Sequence, residues 1–313
     1  MKAPNFWTTR GPIAQALRPL SLVTRIATAR RMRRAGITLG IKTICIGNAG
    51  VGGAGKTMVV LDILVRLKPH PYALTRGYGG TLAGPILVDR GLHDATDAGD
   101  EAMLLAAAAP TVVAHDRAAG ARLALAEGAS AIVMDDGLQN PSLKKTLSLL
   151  VIDGGYGFGN GFLLPAGPLR EPVRTAAARC QAAVLIGADE TGALKLLPPN
   201  LPVFRAELQP LCAESLERRP VIAFAGIGRP EKFFRSLLTL GAELVDTHAY
   251  PDHHVYSARD ITTLLGQTSS TGAKLVTTAK DYVKLPPSLR AACLVVKARL
   301  AWEDEAAWSA LLQ

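Results

Sequence analysis

The amino-acid sequence predicts an α/β fold, in which a mostly parallel sheet carries helices on both faces. From residue 41 onward, short and continuously apolar runs alternate with amphipathic runs of helical length. Strands buried on both faces are uninterrupted apolar runs, and right-handed crossovers place the intervening helices over the sheet. Apolar residues form 49% of the 313 residues and charged residues 19%, which is the composition of a well-packed globular protein.

In the first part of the chain, strands and helices follow one another closely. We predict the strand IKTICIG, the helix GKTMVVLDILVRL, the strand YALTR, the helix DEAMLLAAAA, the strand TVVAH, the helix RAAGARLALAEG, and the strands ASAIVMDD, LSLLVID and QAAVLIG.

The alternation weakens over residues 187–219 and then resumes. Here we predict the strands RPVIAFAGIG, GAELVDTHAY, GAKLVTTAKD and ACLVVKARL, with helices over residues 231–240 and 257–265. The prediction therefore divides the chain into a basic N-terminal segment (1–35), a core (36–200) and a smaller C-terminal α/β lobe (201–313). A cleft between two lobes is a usual place for a binding site.

The positive charge of the chain is concentrated at its N-terminus. Residues 1–61 contain ten basic residues and no acidic residue, whereas the remainder contains 25 basic and 26 acidic residues. The net charge of +9 therefore belongs to the N-terminal part. Such an asymmetry indicates a polyanionic neighbour, either nucleic acid or anionic lipid.

The same segment has the pattern of an amphipathic helix on an anionic membrane surface. One side of a helical wheel collects apolar residues, namely Ile13, Ala16, Leu17, Leu20, Val23 and Ala27. Pro12 and Pro19 predict a broken helix or two short helices. No charge-free run approaches the roughly 20 residues that span a bilayer, so we expect peripheral or monotopic association. The alternative is an ordinary helix packed on its own domain. We expect no nucleic-acid partner, because no aromatic residues alternate with the basic cluster.

A glycine-rich phosphate-binding loop follows the first predicted strand. The stretch GVGGAGKT matches the P-loop pattern G-x-x-x-x-G-K-[ST], between a strand and a helix. Its backbone N–H groups would face phosphate, Lys56 would reach the β- and γ-phosphates, and the Thr57 hydroxyl would bind Mg²⁺. TTAKD is the nearest approach to a guanine-binding [NT]KxD motif, and its displaced lysine argues against a GTPase. The predicted nucleotide-binding residues are Gly50, Gly52, Gly53, Ala54, Gly55, Lys56 and Thr57.

A pair of carboxylates follows another buried strand. In AIVMDDGLQ, Asp135 and Asp136 end an apolar run that would place them beside the loop at the carboxyl edge of the sheet. With Thr57 they are our candidates for the Mg²⁺ site, and their separate duties stay open. DDG is also a good turn sequence, so a solvated turn is the alternative.

Four further stretches, in order with the loop and DDGLQN, make the chain resemble one family. They are TRGYGG (75–80), DAGDEAMLL (97–105), FGNGFLLPAGPLREP (158–172) and AYPDHHVY (249–256). With them the chain resembles the tetraacyldisaccharide 4′-kinases from about residue 40 to about residue 285. The resemblance implies transfer of the ATP γ-phosphate to the 4′-hydroxyl of tetraacyldisaccharide 1-phosphate, which gives lipid IVA in lipid A biosynthesis. It implies the cytoplasmic face of the bacterial inner membrane as the location, and we infer no obligate protein partner.

The resemblance also implies that Asp100 and His253 act as a base dyad on the acceptor hydroxyl. A sugar hydroxyl is a poor nucleophile, so a group that accepts its proton assists the reaction. Asp100 can alternatively be the N-cap of the helix in GDEAMLL. His253 has a neighbour in His254, and the resemblance favours His253 because it directly follows Asp252.

Other family positions are expected at the acceptor and the transferring phosphoryl group. Arg76 and Tyr78 follow a predicted strand end and would contact the substrate, although their glycine-rich stretch can also be a plain turn. Arg170 and Glu171 resemble a matched cleft pair, in which Arg170 stabilises phosphoryl charge and acts with Lys56 in catalysis. A surface salt bridge is the alternative for this pair.

Lys280 and Asp281 end a predicted strand of the C-terminal lobe. We expect them to line the nucleotide side of the cleft. Compared with the usual family pattern, Ala54 replaces threonine, Met58 replaces proline, and Asn140 replaces histidine. No phosphate or metal ligand of the loop is lost, and we assign Asn140 no role.

The sequence thus predicts a two-lobed P-loop kinase that uses ATP and Mg²⁺. The alternative is a membrane-recruited regulatory ATPase that acts on a protein partner. That alternative explains the loop, the aspartates and the basic segment, but it gives FGNGFLLPAGPLREP and PDHH no task.

Overall fold

The computed structural model describes residues 4–313, which contain one sheet of twelve strands. Residues 1–3, with the basic residue Lys2 of the predicted N-terminal segment, lie outside the described part. The strands are β1 (Lys42–Gly47), β2 (Pro71–Thr75), β3 (Ile86–Leu87), β4 (Thr111–Val113), β5 (Ala131–Asp135), β6 (Leu147–Asp153), β7 (Ala182–Ile186), β8 (Val203–Cys212), β9 (Pro220–Ala225), β10 (Glu243–Ala249), β11 (Lys274–Thr278) and β12 (Cys293–Trp302).

The α-helices occupy both ends of the chain and most of the connections between strands. They are α1 (Pro12–Leu17), α2 (Ser21–Met32), α3 (Lys56–Arg66), α4 (Ala95–Ala98), α5 (Asp100–Ala106), α6 (Arg117–Ala126), α7 (Val173–Ala177), α8 (Pro230–Thr239), α9 (Ala258–Thr271), α10 (Ala279–Tyr282), α11 (Pro287–Ala292) and α12 (Glu305–Leu312).

The order of strands across the sheet is β10-β9-β11-β12-β8-β7-β6-β1-β5-β2-β4-β3. The pairs β3–β4 and β8–β12 are antiparallel, and all other neighbours are parallel. The predicted mostly parallel α/β sheet is therefore confirmed. The loop strand β1 lies between β5, which ends in the predicted metal ligands, and β6.

Both faces of the sheet are buried, as the apolar runs predict. Along β1, Ile44 and Ile46 belong to one hydrophobic cluster with α3, and Cys45 belongs to a second cluster with α6 and α7. The strands β9 and β11 likewise separate two clusters in the C-terminal half. Two buried layers on one sheet give the rigid edge from which the loops of the site extend.

The last helix returns from the C-terminal half to the core. In α12, Trp308 stacks on Trp302 of β12 with ring centroids 3.8 Å apart. Both indole N–H groups donate to the carboxylate of Asp62 in α3. The C-terminal half therefore shares both a sheet and this contact with the core, and a domain boundary near residue 200 stays a prediction.

The N-terminal segment is broken into two helices, as Pro12 and Pro19 predict. Pro12 is the first residue of α1, and Pro19 lies in a 3₁₀ turn before α2. The side of α2 that faces the protein is small and polar: the hydroxyls of Ser21, Thr24 and Thr28 donate to the carbonyls of Leu163, Leu164 and Arg170.

The other side of this segment carries large apolar residues that are at least half exposed. They are between 50% and 68% exposed, and they are Ile13, Leu20, Leu22, Val23 and Ile26. The segment therefore does not bury its apolar face on its own domain. Within residues 4–313, no helix combines the length and the apolar character that a membrane crossing requires.

Candidate active site

The P-loop has the backbone geometry that anion binding requires. Gly55 caps α3 with φ 81°, a left-handed conformation that suits glycine, and a Cβ there would lie 2.6 Å from Ile186 Cδ1. A Cβ at Gly52 or Gly53 would meet nothing within 4 Å, so the loop faces open space. The N-terminus of α3 therefore presents free N–H groups beside room for a phosphate.

Backbone hydrogen bonds join the P-loop to the stretch FGNGFLLPAGPLREP (158–172). The Val51 N–H donates to the Pro168 carbonyl at 2.8 Å, and the Arg170 N–H donates to the Ala49 carbonyl at 2.8 Å. These backbone bonds fix the loop in register with residues 168–170. The stretch thus acquires a structural task at the site.

Thr57 and Asp135 form the arrangement expected of a Mg²⁺ site. The Thr57 hydroxyl donates to Asp135 Oδ2 at 3.0 Å, while the buried Oδ1 has no hydrogen-bond partner within residues 4–313. Burial raises the pKa of Asp135 to about 6, because a dehydrated carboxylate is unfavourable without a cation. Mg²⁺ in nucleotide sites is held by one or two carboxylates plus phosphate oxygens, so this donor set fits it.

The Asp136 carboxylate forms ion pairs with two cationic side chains next to the P-loop. Its carboxylate lies 3.6 Å from Lys56 Nζ, and Arg170 Nη1 donates to both of its oxygens at 3.0 and 2.9 Å. Burial raises the pKa of Asp136, but the charges of Lys56 and Arg170 outweigh burial and hold it below the ordinary value. Asp136 also has φ 53°, in the left-handed region where strain is typical of functional residues. The pKa values of the two neighbouring aspartates are thus shifted in opposite directions, and the two carboxylates have different partners.

Asp100, the first residue of α5, and His253, which follows β10, are in direct contact. His253 Nδ1 lies 3.0 Å from Asp100 Oδ2, although the two residues are 153 positions apart in the chain. His253 has φ 60°, so it too occupies the left-handed region. His254 points elsewhere: it pairs with Asp260 at 3.2 Å and stacks on Tyr250. The geometry therefore separates the two histidines that the sequence left side by side.

The surroundings keep Asp100 ionised. Burial raises its pKa, but the hydrogen bond to His253 and the nearby charge of Lys284 outweigh burial, so the pKa is below the ordinary value. Conversely, the bond to Asp100 raises the pKa of His253 above its usual range, against an opposing effect of burial. The pair therefore favours a carboxylate next to an imidazole that readily holds a proton.

Two glycine-rich turns place Tyr78 beside this dyad. A Cβ at Gly99 would lie 2.4 Å from the Tyr78 carbonyl, and a Cβ at Gly80 would lie 2.5 Å from the Asp97 carbonyl. This close contact brings TRGYGG onto the turn that precedes Asp100. Tyr78 is 68% exposed and lies edge-on to the His253 ring, with centroids 5.5 Å apart. Arg76 is exposed at the end of β2.

Arg170 and Glu171 do not pair with each other, contrary to the matched pair expected from the sequence. Arg170 binds Asp136, as described above, whereas Glu171 is 2% exposed and accepts from Arg179 at 2.6 Å. Gln139 links the two, because it donates to Glu171 and accepts from Arg170. The side chains of these two consecutive residues point in different directions, so only Arg170 lies beside Asp136 and the P-loop.

Several residues of the site were not among the candidates. Lys284, with its side chain only 5% exposed, lies 3.5 Å from Asp100 and 2.8 Å from Asp281. Asn48 accepts from Lys56 at 3.2 Å. Lys280, which the sequence did single out, has its Nζ 2.9 Å from Glu101 and 3.5 Å from His253 Nε2. Asn48 could have been found from its place directly before the loop; Lys284 has no local pattern.

The chain is similar to known proteins over nearly its whole length. The family model for tetraacyldisaccharide-1-P 4′-kinase matches residues 13–313. A tetraacyldisaccharide 4′-kinase of Gluconacetobacter diazotrophicus is 52% identical over 318 residues, covering 100% of this chain and 97% of that protein. One of Rhodospirillum centenum is 49% identical, covering 97% and 94%.

A solved structure has the same fold. The crystal structure of LpxK from Aquifex aeolicus in complex with ATP superposes with a TM-score of 0.80 at 28% identity. The superposition covers 96% of this chain and 98% of that one. These matches show that the chain belongs to the tetraacyldisaccharide-1-phosphate 4′-kinase family.

Proposed function

We propose that this chain transfers the γ-phosphate of ATP to the 4′-hydroxyl of tetraacyldisaccharide 1-phosphate. The observation that carries the proposal is the contact between Asp100 and His253, which brings a base to the edge of the sheet that holds the P-loop. A nucleotide switch has no need of such a base, whereas a kinase acting on a sugar hydroxyl does. The regulatory ATPase considered from the sequence leaves this dyad without a task.

The donor is bound by the loop. The β- and γ-phosphates are held by the Lys56 ammonium and by the N–H groups of residues 52, 53 and 55–57, since Lys56 is already directed to this space by Asn48. Thr57 and Asp135 hold Mg²⁺, and Asp136 lies next to them. Mg²⁺ supplies charge neutralisation on the phosphates when it is bound.

The acceptor is activated by the dyad. Asp100 takes the proton of the 4′-hydroxyl as the new bond between the 4′-oxygen and the γ-phosphorus forms, and the bond to the β,γ-bridging oxygen breaks. His253 orients Asp100 through a hydrogen bond at Nδ1. The Lys284 ammonium, 3.5 Å from Asp100 Oδ2, favours the ionised form of Asp100. After this step Asp100 carries the proton, the 4′-oxygen carries the phosphoryl group, and ADP is the leaving group.

The remaining cleft residues contact the two substrates. Arg170 is directed by Asp136 toward the loop, where it stabilises charge on the transferring phosphoryl group. The exposed Tyr78 and Arg76 would contact the acceptor sugar and its phosphate. Glu171 supports Arg170 through Gln139 instead of reaching the acceptor, because it is buried in its own ion pair.

We further propose that the N-terminal segment lies on the cytoplasmic face of the bacterial inner membrane. Its uncovered apolar residues, including Val23 and Ile26, are flanked by Arg25, Arg30 and Arg31 on the same helix. This combination of apolar and basic residues favours an anionic lipid surface. An acylated acceptor stays in the membrane, so a surface-bound kinase would reach it there.

The experiment is phosphate transfer from γ-labelled ATP to detergent-dispersed tetraacyldisaccharide 1-phosphate. We expect a labelled bis-phosphorylated lipid with the unmodified chain, loss of label and of ATP binding with Lys56→Ala, and loss of label with retained ATP binding in Asp100→Asn. ATP consumption without labelled lipid would contradict the proposal. Full transfer activity in Asp100→Asn would contradict the assignment of the base.

A further inference from the structure

One buried carboxylate lies behind both partners of the proposed base. Asp100 contacts His253, from the segment after β10, and Lys284, which follows α10. Asp281 of α10 contacts Lys284 directly, and it is 0% exposed. It has no surface with which to line a cleft or touch a substrate, so it can act only through its neighbours.

The Asp281 carboxylate is hydrogen-bonded by three segments of the C-terminal half. Its Oδ1 accepts from the Gly226 N–H and the Tyr256 hydroxyl, each at 3.0 Å, and its Oδ2 accepts from the Thr278 hydroxyl at 2.7 Å. A carboxylate away from water is stable only when such donors and a cation satisfy it. The cation is Lys284, whose Nζ lies 2.8 Å from Oδ1. These contacts fix the position of the carboxylate and of its negative charge.

The Lys284 ammonium is divided between two carboxylates. Its side chain is 5% exposed, and Nζ lies 2.8 Å from Asp281 Oδ1 and 3.5 Å from Asp100 Oδ2. The Tyr256 ring lies beside the ammonium, with its centroid 5.6 Å from Nζ. Buried charges are screened much less than exposed ones. The nearer carboxylate therefore limits how strongly the ammonium acts on Asp100.

Asp281 also supports the backbone of His253, through Gly226. The Gly226 N–H donates to Asp281, and the Gly226 carbonyl accepts from the His253 N–H at 3.3 Å. A Cβ at Gly226 would lie 3.0 Å from Asp281 Oδ1 and 3.1 Å from His254 Cβ, so this turn is closely packed. His253 has φ 60°, a strained conformation that persists only where neighbouring contacts hold it. The bonds of Asp281 thus help to hold His253 in the conformation that reaches Asp100.

We propose that Asp281 is a positioning residue for the base dyad. It shares Lys284 with Asp100 and, through Gly226, holds His253 against the same carboxylate. The proposal rests on the proposed function, in which Asp100 is the base. The other groups that face the dyad are Glu101 of α5, Asp252 beside His253, Lys280 of α10 and Tyr78 after β2. The side chains of the three charged ones are 22–36% exposed, so water screens their charges more than that of Asp281.

The test is an NMR titration of the histidine rings in the full chain, without ATP or acceptor. The six histidines are labelled with ¹³C, and His253→Gln identifies the His253 signal. Asp281→Asn keeps the shape and the accepting Oδ1 but removes the charge, so Lys284 acts on Asp100 alone. A negative charge near the imidazolium is lost, and the remaining carboxylate pairs more tightly with Lys284. Both changes disfavour the imidazolium. The pKa of His253, which the bond to Asp100 raises above its usual range, should therefore fall by about half a unit.

Kinetics and a matched control accompany the titration. A carboxylate paired more tightly with a cation is a weaker base, so Asp281→Asn should lower kcat about tenfold and leave KM for ATP unchanged. Asp246→Asn is the control, because Asp246 is an exposed carboxylate of the same half that pairs with His248 at 3.3 Å. It should change neither kcat nor the His253 titration. An unmoved or raised pKa of His253 in folded Asp281→Asn would overturn the proposal.

A second measurement does not depend on the folding of Asp281→Asn. Lys284→Met leaves the buried Asp281 carboxylate without its cation, whereas adding Asp281→Asn removes both members of the pair. The double variant should therefore melt at a higher temperature than Lys284→Met. An equal or lower melting temperature would show that Asp281 does not hold Lys284, and would overturn the proposal.

The role of Asp281 and the proposed function fail separately, because the titration uses neither substrate. The expected fall in the pKa of His253, in a chain that phosphorylates no lipid, would refute only the proposed function. Lipid phosphorylation by the unmodified chain, with an unmoved pKa of His253 in Asp281→Asn, would refute only the role of Asp281.

Discussion

Replacing Lys284 by methionine should make the kinase sensitive to acid. The Lys284 ammonium lies 3.5 Å from Asp100 Oδ2, and it is one of the charges that hold the pKa of Asp100 below its ordinary value. At 3.5 Å, Coulomb's law gives about 1 kcal/mol in water and about 5 kcal/mol at an effective dielectric constant of about 20. Asp281 shares the ammonium at 2.8 Å, so the lower part of this interval applies.

We therefore expect the pKa of Asp100 to rise by about one unit, which is about 1.4 kcal/mol. Asp100 must be ionised to accept the proton, so activity is lost as pH falls through its pKa. The acidic limb of the kcat profile should consequently move to higher pH by about one unit. The profile is measured at saturating ATP and acceptor from about pH 3 to about pH 8, so that it includes the acidic limb of the unmodified chain.

Two companion variants separate charge from packing. Lys284→Arg restores a cation and should return the acidic limb toward its original position. Lys274→Met removes an exposed lysine of β11 and should leave the profile unchanged. A uniform fall in kcat with an unmoved acidic limb would refute the electrostatic reasoning and leave Lys284 only a structural role.

Three other predictions test other parts of the molecule. Gly55→Ala should lower the free energy of unfolding by about 1–3 kcal/mol in urea titrations, because φ is 81° and Ile186 lies where the Cβ would be. An unchanged urea midpoint would show that the loop accommodates the alanine side chain without strain. Val23→Asp should reduce cosedimentation with anionic vesicles while the melting temperature stays constant, since the side chain is 68% exposed. Equal binding would count against the membrane face. His253→Gln should lower kcat by roughly 100-fold, whereas His254→Gln should leave it nearly unchanged, as only His253 contacts Asp100. An equal loss of kcat in the two variants would contradict the assignment of the base dyad to His253.

Local patterns made the P-loop side of the site predictable from the sequence. Lys56 and Thr57 follow glycines at fixed spacing, and Asp135 follows an apolar strand, so each position is encoded within a few neighbouring residues. The 3.0 Å contact between Thr57 and Asp135 joins segments that are 78 residues apart. It could be expected because the carboxyl ends of parallel strands lie at the same edge of the sheet.

Long-range contacts account for what the sequence did not predict. Lys284 is defined only by its distance to Asp100, and no periodicity marks it. The strand β8 was not predicted, because its residues are largely exposed and it pairs antiparallel with β12. Glu171 was expected beside Arg170, but the partners that separate them, Asp136 and Arg179, come from other segments.

The attachment of the N-terminal helix has a consequence for substrate selection. Thr28 bonds the Arg170 carbonyl, and the Arg170 N–H bonds the Ala49 carbonyl just before the P-loop, so only a few bonds separate α2 from the phosphate site. If α2 lies on a bilayer as proposed, these bonds would hold the phosphate site at a fixed distance above the lipid headgroups, and acyl chains of any length would lie below that plane. The kinase would then select its acceptor by the position of the sugar and tolerate variation in the acyl chains.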